Sequence, residues 1–305
     1  MALEDAQRSR MAASTAEGAA SLRAGGAAEP DEAVRNPDHL AARFITPGLK
    51  LTALAKVPGL RRLVARVAER VIPGAYYYEI ARVKYMDELL LGELDRGISQ
   101  LVVLGAGFDT RAYRFEDRLR GVRTFEVDHP VTARLKRERL VHIFGELPAH
   151  VEFVEIDFTT QELDERLAAH GYDPAEPTFF IWSGVVPYLT ADAVDAVFAF
   201  IARQGSPLTS VVFDYVYREM LDGTRSYYGA EELKRRVEKT GEPLLFGIPE
   251  GEIEAFLAER GLTLESHHPR AELADRFLKK SDGELLGRPY EFGGIAHARV
   301  AAAAA

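Results

Sequence analysis

Cysteine is absent from the 305 residues, which excludes disulfides, thiolate catalysis and Cys-ligated zinc together and makes the cytoplasm the default compartment. A cationic excess is missing as well. Lys and Arg number 38 against 47 Asp and Glu, a formal net charge of -9, so no nucleic-acid partner is expected, because phosphate neutralisation needs a cationic face. No apolar run approaches the roughly 18 to 20 residues of a membrane span, and the opening MALEDAQRSR lacks the apolar core of a signal peptide. No membrane partner is expected either. With 47% hydrophobic residues, the chain is large enough for one sizeable domain, with or without an appended lid. A small-molecule substrate is the partner that suits such a chain.

The segment LVVLGAGFDTRAYRF, Leu101 to Phe115, is the most informative that is present. A buried strand there hands over to a helix through Gly105, Ala106 and Gly107, as happens around a bound ligand. Without a Cβ, the two glycines let the backbone turn sharply and let a cofactor lie against it. A dinucleotide fingerprint would need a third small residue three positions after Gly107, where Thr110 stands, and a helix N-terminus free for a pyrophosphate. Asp109 occupies that place, and a carboxylate competes with a diphosphate for the same N–H groups. A ligand without phosphates fits better. S-adenosylmethionine is one, with an ammonium, a carboxylate and a sulfonium on an adenosine.

The chain divides into three stretches. Residues 1–30 are rich in Ala, Gly and Ser and read as a flexible tail or a lid helix, with Ser14 and Glu17 in capping-box register and a stop at Gly25 and Gly26. Residues 31–98 form a helical cap region, with apolar spacing through Leu40, Phe44, Leu60, Val64, Val67 and Val71, then an amphipathic helix from Tyr76. Residues 99–300 alternate strand and helix signals, the pattern of an α/β, Rossmann-like sheet. Strands are expected near 101–104, 123–127, 151–156, 178–182, 210–215, 262–267 and 292–300, the last antiparallel. A helical insertion is expected at about 218–260, with helices at 231–239 and 249–259.

Ligands in open α/β sheets sit beyond the carboxyl ends of the strands, so those ends carry the candidate residues. FEVDHP places Glu126 and Asp128 on one face; Asp128, nearer the strand end, is preferred for a ribose. VEIDFTT offers Asp157 to an adenine amino group with Phe158 beside the ring, although Asp157 could equally cap a helix starting near Thr159. WSGVVPYLT brings Trp182, Ser183 and Gly184 to the central cleft, with a core role for Trp182 equally open. Arg82 has the fork geometry for a carboxylate, or a surface acid to pair with.

Together these segments resemble the leucine carboxyl methyltransferase-like branch of the class I methyltransferases, including bacterial members. The resemblance runs through TAEGAASLRA, NPDHLAARFI, IARVKYMD, LGAGFDTRAYR, FEVDHP, IDF and WSGVVPYLT. It implies a seven-stranded sheet with an N-terminal helical extension and a helical cap, and S-adenosylmethionine as cofactor. It carries over Arg82 for the methionine carboxylate, Gly105 and Gly107 for the cofactor turn, Asp128 for the ribose, and Asp157 with Phe158 for adenine. Many members have Glu before the glycine of the fourth-strand motif. This chain has Ser183 before Gly184, a weaker partner for the methionine ammonium.

Transfer from a sulfonium to an already ionised carboxylate needs no general base, which makes O-methylation of a small carboxylic acid the leading expectation. A phenol or alcohol acceptor in secondary metabolism would need proton removal, for which Tyr188 and His267 are available, each with an ordinary packing role as the simpler reading. His267 and His268 have no further ligand at metal spacing, so no metal is expected. Two other classes stay open from the residues alone. One is a cofactor-binding module without turnover; the other, disfavoured by Thr110 and Asp109, is a nicotinamide-dependent oxidoreductase.

Overall fold

The computed structural model describes residues 2–46, 69–70, 72–157, 161–240 and 243–301. Seven strands form one sheet in the order β3-β2-β1-β4-β5-β7-β6. These are β1 (Gln100–Leu104), β2 (Arg123–Asp128), β3 (Val151–Glu155), β4 (Thr178–Trp182), β5 (Ser210–Val216), β6 (Leu262–Pro269) and β7 (Gly293–Val300). β1 to β5 pair in parallel, and β7 lies antiparallel between β5 and β6. The expected strands differ from these by two residues at most, because a parallel sheet covered on both faces demands continuous β-branched and aromatic runs that are easily recognised.

Helices follow the strands: α1 (Ala2–Ala27) and α2 (Ala75–Arg96) precede the sheet, then come α3 (Arg111–Arg114), α4 (Pro130–Phe144), α5 (Leu163–Ala169) and α6 (Ala191–Ala202). Between β5 and β6 stand α7 (Arg218–Asp222), α8 (Ala230–Thr240) and α9 (Ile253–Ala258); α10 (Glu272–Phe277) precedes β7. The start of α4 shows how local sequence sets a boundary. Pro130 takes the first helical position, where its missing N–H is no loss, the His129 side chain accepts from Val131 N–H, and Gly145 ends the helix with φ 89°.

Alternation along the strands divides the core between the two faces of the sheet. Val102, Phe180, Trp182, Phe213 and Tyr215 point to the side of α6, while Leu101, Val103, Phe179, Ile181 and Val212 point to α2. Trp182 is therefore a core residue, edge-on to Phe198 with centroids 5.4 Å apart. A third apolar group joins α1 to the glycine loop through Ala20, Ala24, Phe44, Phe108 and Tyr113.

Three local expectations are corrected. α1 runs from Ala2, so Ser14 and Glu17 lie inside a helix rather than at its start, and Glu17 instead accepts from Thr46 N–H at 2.6 Å. Leu40 and Phe44 are buried, but in a stretch of two 3-10 turns, Glu32–Val34 and Ala41–Arg43, because Asn36 and Asp38 side chains take backbone N–H groups that a continuous helix would use. The helix after β3 begins at Leu163, with Gln161 and Asp157 closing a turn before it. The apolar positions Leu60, Val64, Val67 and Val71 lie outside the described residues.

Phe198 is fully buried and touches Trp182, Phe213 and Phe256 edge-on. Phe198→Ala is expected to lower stability by about 3–5 kcal/mol, read as a reduced urea midpoint with the slope unchanged.

Candidate active site

The glycine loop leaves β1 with both glycines in the left-handed region, φ 63° at Gly105 and 43° at Gly107. Ala106 N–H donates to Val127 O at 3.0 Å, and Gly107 N–H to Asp128 Oδ2 at 2.5 Å, so the loop is stitched to the end of β2. The other Asp128 oxygen accepts from His129 N–H at 2.7 Å. Burial nevertheless holds the Asp128 carboxyl above its ordinary value, against the pull of those two N–H groups. Asp109 occupies the start of α3, accepting from Arg111 N–H at 2.8 Å and pairing with the Arg111 guanidinium. Its desolvation is outweighed by Arg111 and Lys136, and its carboxyl falls to about 2.

α1 lies across this loop. A Cβ on Gly107 would stand 3.4 Å from the Ala16 methyl, and Arg23 donates to Phe108 O at 2.6 Å and to Asp38 at 2.8 Å. Beside the loop is a narrow polar cavity of about 20 Å³, bordered by Arg23, Arg82, Arg111, Arg114, Asp38, Asp109 and Ser183. Arg82 comes from α2 and Ser183 from the end of β4, so two expected cofactor residues do converge.

The Arg82 guanidinium is held from two sides. Nη2 donates to Glu79 Oε1 at 2.5 Å, and Nη1 to Asp214 Oδ2 at 3.0 Å. Asp214, in the middle of the fully buried β5, also accepts from Tyr78 OH at 3.0 Å and from Gly184 N–H at 2.5 Å. Arg270 stands 3.8 Å away, stacked against Tyr78 and Tyr290 and donating to Tyr215 O at 3.0 Å. Desolvation raises the Asp214 carboxyl, but Arg82, Arg270 and the Gly184 N–H more than reverse it and hold it below its ordinary range. Gly184 has φ 72°, and a Cβ there would come within 2.9 Å of Arg82 Nη1, so only glycine allows this approach.

The other expected residues lie apart from the cavity. Glu126 is buried between β2 and α4, accepting from Tyr113 OH at 2.8 Å and paired with Lys136 at 2.7 Å; burial raises its carboxyl despite Lys136. Asp157 is half-buried at the end of β3, with its N–H donating to Gln161; Phe158 lies outside the described residues. Tyr188 ends a 3-10 turn after β4. His267, on β6, shares a 3.0 Å hydrogen bond with Tyr215 OH, and burial lowers its imidazole below the ordinary value. Among the described residues, one His and carboxylate group is close enough to share a cation: Glu93, Glu265 and His297. Arg299 already holds both acids, at 2.9 and 2.6 Å.

Sequence reasoning missed Asp214, Glu79 and Arg270. A signal for Asp214 was present, since a lone acid inside the apolar run SVVFDYV can be buried only if it is paired. Asp214→Ala removes the acid that faces Arg270, leaves Arg82 with Glu79 alone, and is expected to cost about 3–5 kcal/mol near pH 7. Because the folded carboxyl is depressed, its contribution is present above the ordinary carboxylate value of about 4 and lost as pH falls through the folded value. The stability gap between wild type and variant, measured by urea unfolding, should therefore narrow on acidification below pH 4.

Comparison with known proteins bears on the family and the fold. The family model for leucine carboxyl methyltransferase matches residues 16–202, which includes the second half of α1, the glycine loop and the fourth-strand motif. YktD of Bacillus subtilis, a candidate S-adenosyl-L-methionine-dependent methyltransferase, is 30% identical over 206 residues, 68% of this chain and 67% of its own length. A similarly named protein of Mycolicibacterium paratuberculosis is 31% identical over 289 residues, 90% of this chain and 84% of its own. Among solved structures, a candidate methyltransferase of Thermobifida fusca superposes with TM-score 0.54 at 18% identity, covering 80% of this chain and 89% of that one. A protein of Streptomyces avermitilis gives TM-score 0.54 at 15% identity over 85% and 97%. The sheet order is thus that of the class I methyltransferases, and the chain belongs to the leucine carboxyl methyltransferase family.

Proposed function

We propose that this chain is an S-adenosylmethionine-dependent O-methyltransferase that methylates a carboxylate of a small molecule. Family membership and relatives named for that cofactor support the methyl transfer and set the nicotinamide reading aside. The residues present fit S-adenosylmethionine: Gly105 and Gly107 turn the loop sharply at the carboxyl end of β1 with positive φ, Asp128 stands at the end of β2, and the Arg82 guanidinium borders the cavity beside Ser183. Arg82 would take the methionine carboxylate, Gly105, Ala106 and Gly107 the turn, Asp128 the ribose, and Asp157 with Phe158 the adenine. Ser183 and Gly184 would border the methionine end, with α1 and the segment 31–98 capping the acceptor side. When bound, S-adenosylmethionine supplies a methyl group made electrophilic by its sulfonium.

The observation that carries a carboxylate acceptor is the charge balance of the site. In the paired cluster beside the cavity, Arg23, Arg82, Arg111, Arg114 and Arg270 face Asp38, Glu79, Asp87, Asp109 and Asp214, five cations against five anions, with Asp128 outside this cluster at the end of β2. A cationic cofactor in a neutral, largely buried cluster is best matched by an anionic acceptor, since transfer then removes both charges and water exclusion favours it. The site residues need only orient the acceptor and exclude water. A hydroxyl acceptor is the second reading, favoured by the His267–Tyr215 pair, in which burial lowers the imidazole below its ordinary value.

With methyl-labelled S-adenosylmethionine and a panel of aliphatic, aromatic and amino acids, the label is expected in a product that releases methanol in mild base, as esters do. A base-stable label would indicate an ether and overturn the carboxylate reading. Asp128→Ala is expected to weaken S-adenosylhomocysteine binding by about 1–3 kcal/mol, measured by calorimetric titration. Unchanged affinity would remove Asp128 from the ribose site.

A further inference from the structure

We infer that Glu79 is the anionic partner of the methionine ammonium of the cofactor; this rests on the S-adenosylmethionine reading above. An ammonium drawn into a buried, arginine-rich cleft needs a carboxylate oxygen that is not already committed. Asp38 and Asp109 border the cavity, and the acids hydrogen-bonded to its arginines or to the glycine loop can be taken in turn with them. Asp38 accepts from Arg23 on one oxygen and from Thr110 OH and Ala41 N–H on the other. Asp87 holds Arg111 and Arg114 with both of its oxygens. Asp109 is closed by Arg111 on both, and Asp128, which already accepts one N–H on each oxygen from Gly107 and His129, is the acid assigned to the ribose. Asp214 accepts from Gly184 on one oxygen and from Tyr78 and Arg82 on the other.

Glu79 differs from all of these. Oε1 accepts from Arg82 Nη2 at 2.5 Å, while Oε2 is buried with no hydrogen-bond partner among the described residues, in a residue only 6% exposed. An ionised oxygen left bare in the interior is costly, on the order of 1–3 kcal/mol or more, and such a group requires an explanation. Glu126 also has an unpartnered oxygen, but Lys136 at 2.7 Å already supplies its counter-charge. Among the described residues, Glu79 is paired with Arg82 alone, which it shares with Asp214.

Placement supports the same assignment. Glu79 is one helical turn before Arg82 and Val83, which border the cavity, so the three lie on one face of α2. Arg82 Nη1 in turn closes on Gly184, next to Ser183. Ser183 offers a neutral hydroxyl at the end of β4, and the α2 side supplies the negative charge. Arg82 and Glu79 would then hold the two ends of one amino-acid head group, carboxylate on guanidinium and ammonium on the free Oε2.

The test is titration of the full chain, wild type and Glu79→Gln, with three ligands. S-adenosylhomocysteine carries both charged groups, S-adenosyl-3-thiopropylamine only the ammonium, and 5′-methylthioadenosine neither. Loss of one charge-assisted hydrogen bond predicts that Glu79→Gln weakens the first two roughly ten- to hundredfold and the third less than about twofold. Unchanged 5′-methylthioadenosine affinity also shows that the variant is folded. If S-adenosylhomocysteine weakens while the amine analogue does not, Glu79 acts only through Arg82 and the inference fails. It fails equally if all three ligands weaken together or none does. Failure of wild type to bind S-adenosylhomocysteine at all would instead overturn the cofactor reading.

Discussion

A carboxylate in the middle of a fully buried strand has to be neutralised from other parts of the chain, and Asp214 draws three of them together. Tyr78 and Arg82 bind it from α2, Gly184 from the end of β4, and Arg270 approaches from just past β6. Coulomb attraction at low effective dielectric is strong enough to hold such elements, provided every donor and acceptor finds a partner. The long helix that precedes the sheet is thereby locked over the strand ends where ligands bind in this architecture. The position of Arg82, and with it Glu79, follows from that lock.

A second constraint comes from small side chains. Ala16, Ala20 and Ala24 recur every fourth residue of α1, and the last two are completely buried. A stripe of methyl groups lets the helix lie close to the glycine loop, and Arg23 then reaches both Asp38 and the Phe108 carbonyl. The same alanines lower the apolar contrast along the segment. They read as a tail in the sequence, although in three dimensions they are a contact surface.

What could be read in advance follows the range of the interactions involved. The strands and the glycine loop depend on residues close in sequence or on runs of one character, so pattern and spacing disclose them. The pairing of Arg82 with Asp214 joins positions 132 residues apart, and no local periodicity encodes it. Glu79 escaped attention for a related reason. Its spacing from Arg82 suggests an ordinary pair on a helix surface, and only burial shows that one oxygen has no partner. Segments 30–46 misled in the opposite way, because buried apolar spacing there is carried by 3-10 turns fixed by Asn36 and Asp38 side chains.

The seating of β7 between β5 and β6 bears on how the molecule is made. β5 and β6 do not pair with each other; each finds its edge partner only in residues 293–300. During synthesis the ribosome delivers β5 some eighty residues before the strand that covers it, leaving a row of bare N–H and C=O groups beside an apolar face. The helices α7, α8 and α9 and the strand β6 emerge in that interval without being able to close the sheet. Because β6 pairs with β7 alone, the far edge of the sheet is completed only by a non-local pairing of the last strand with both β5 and β6.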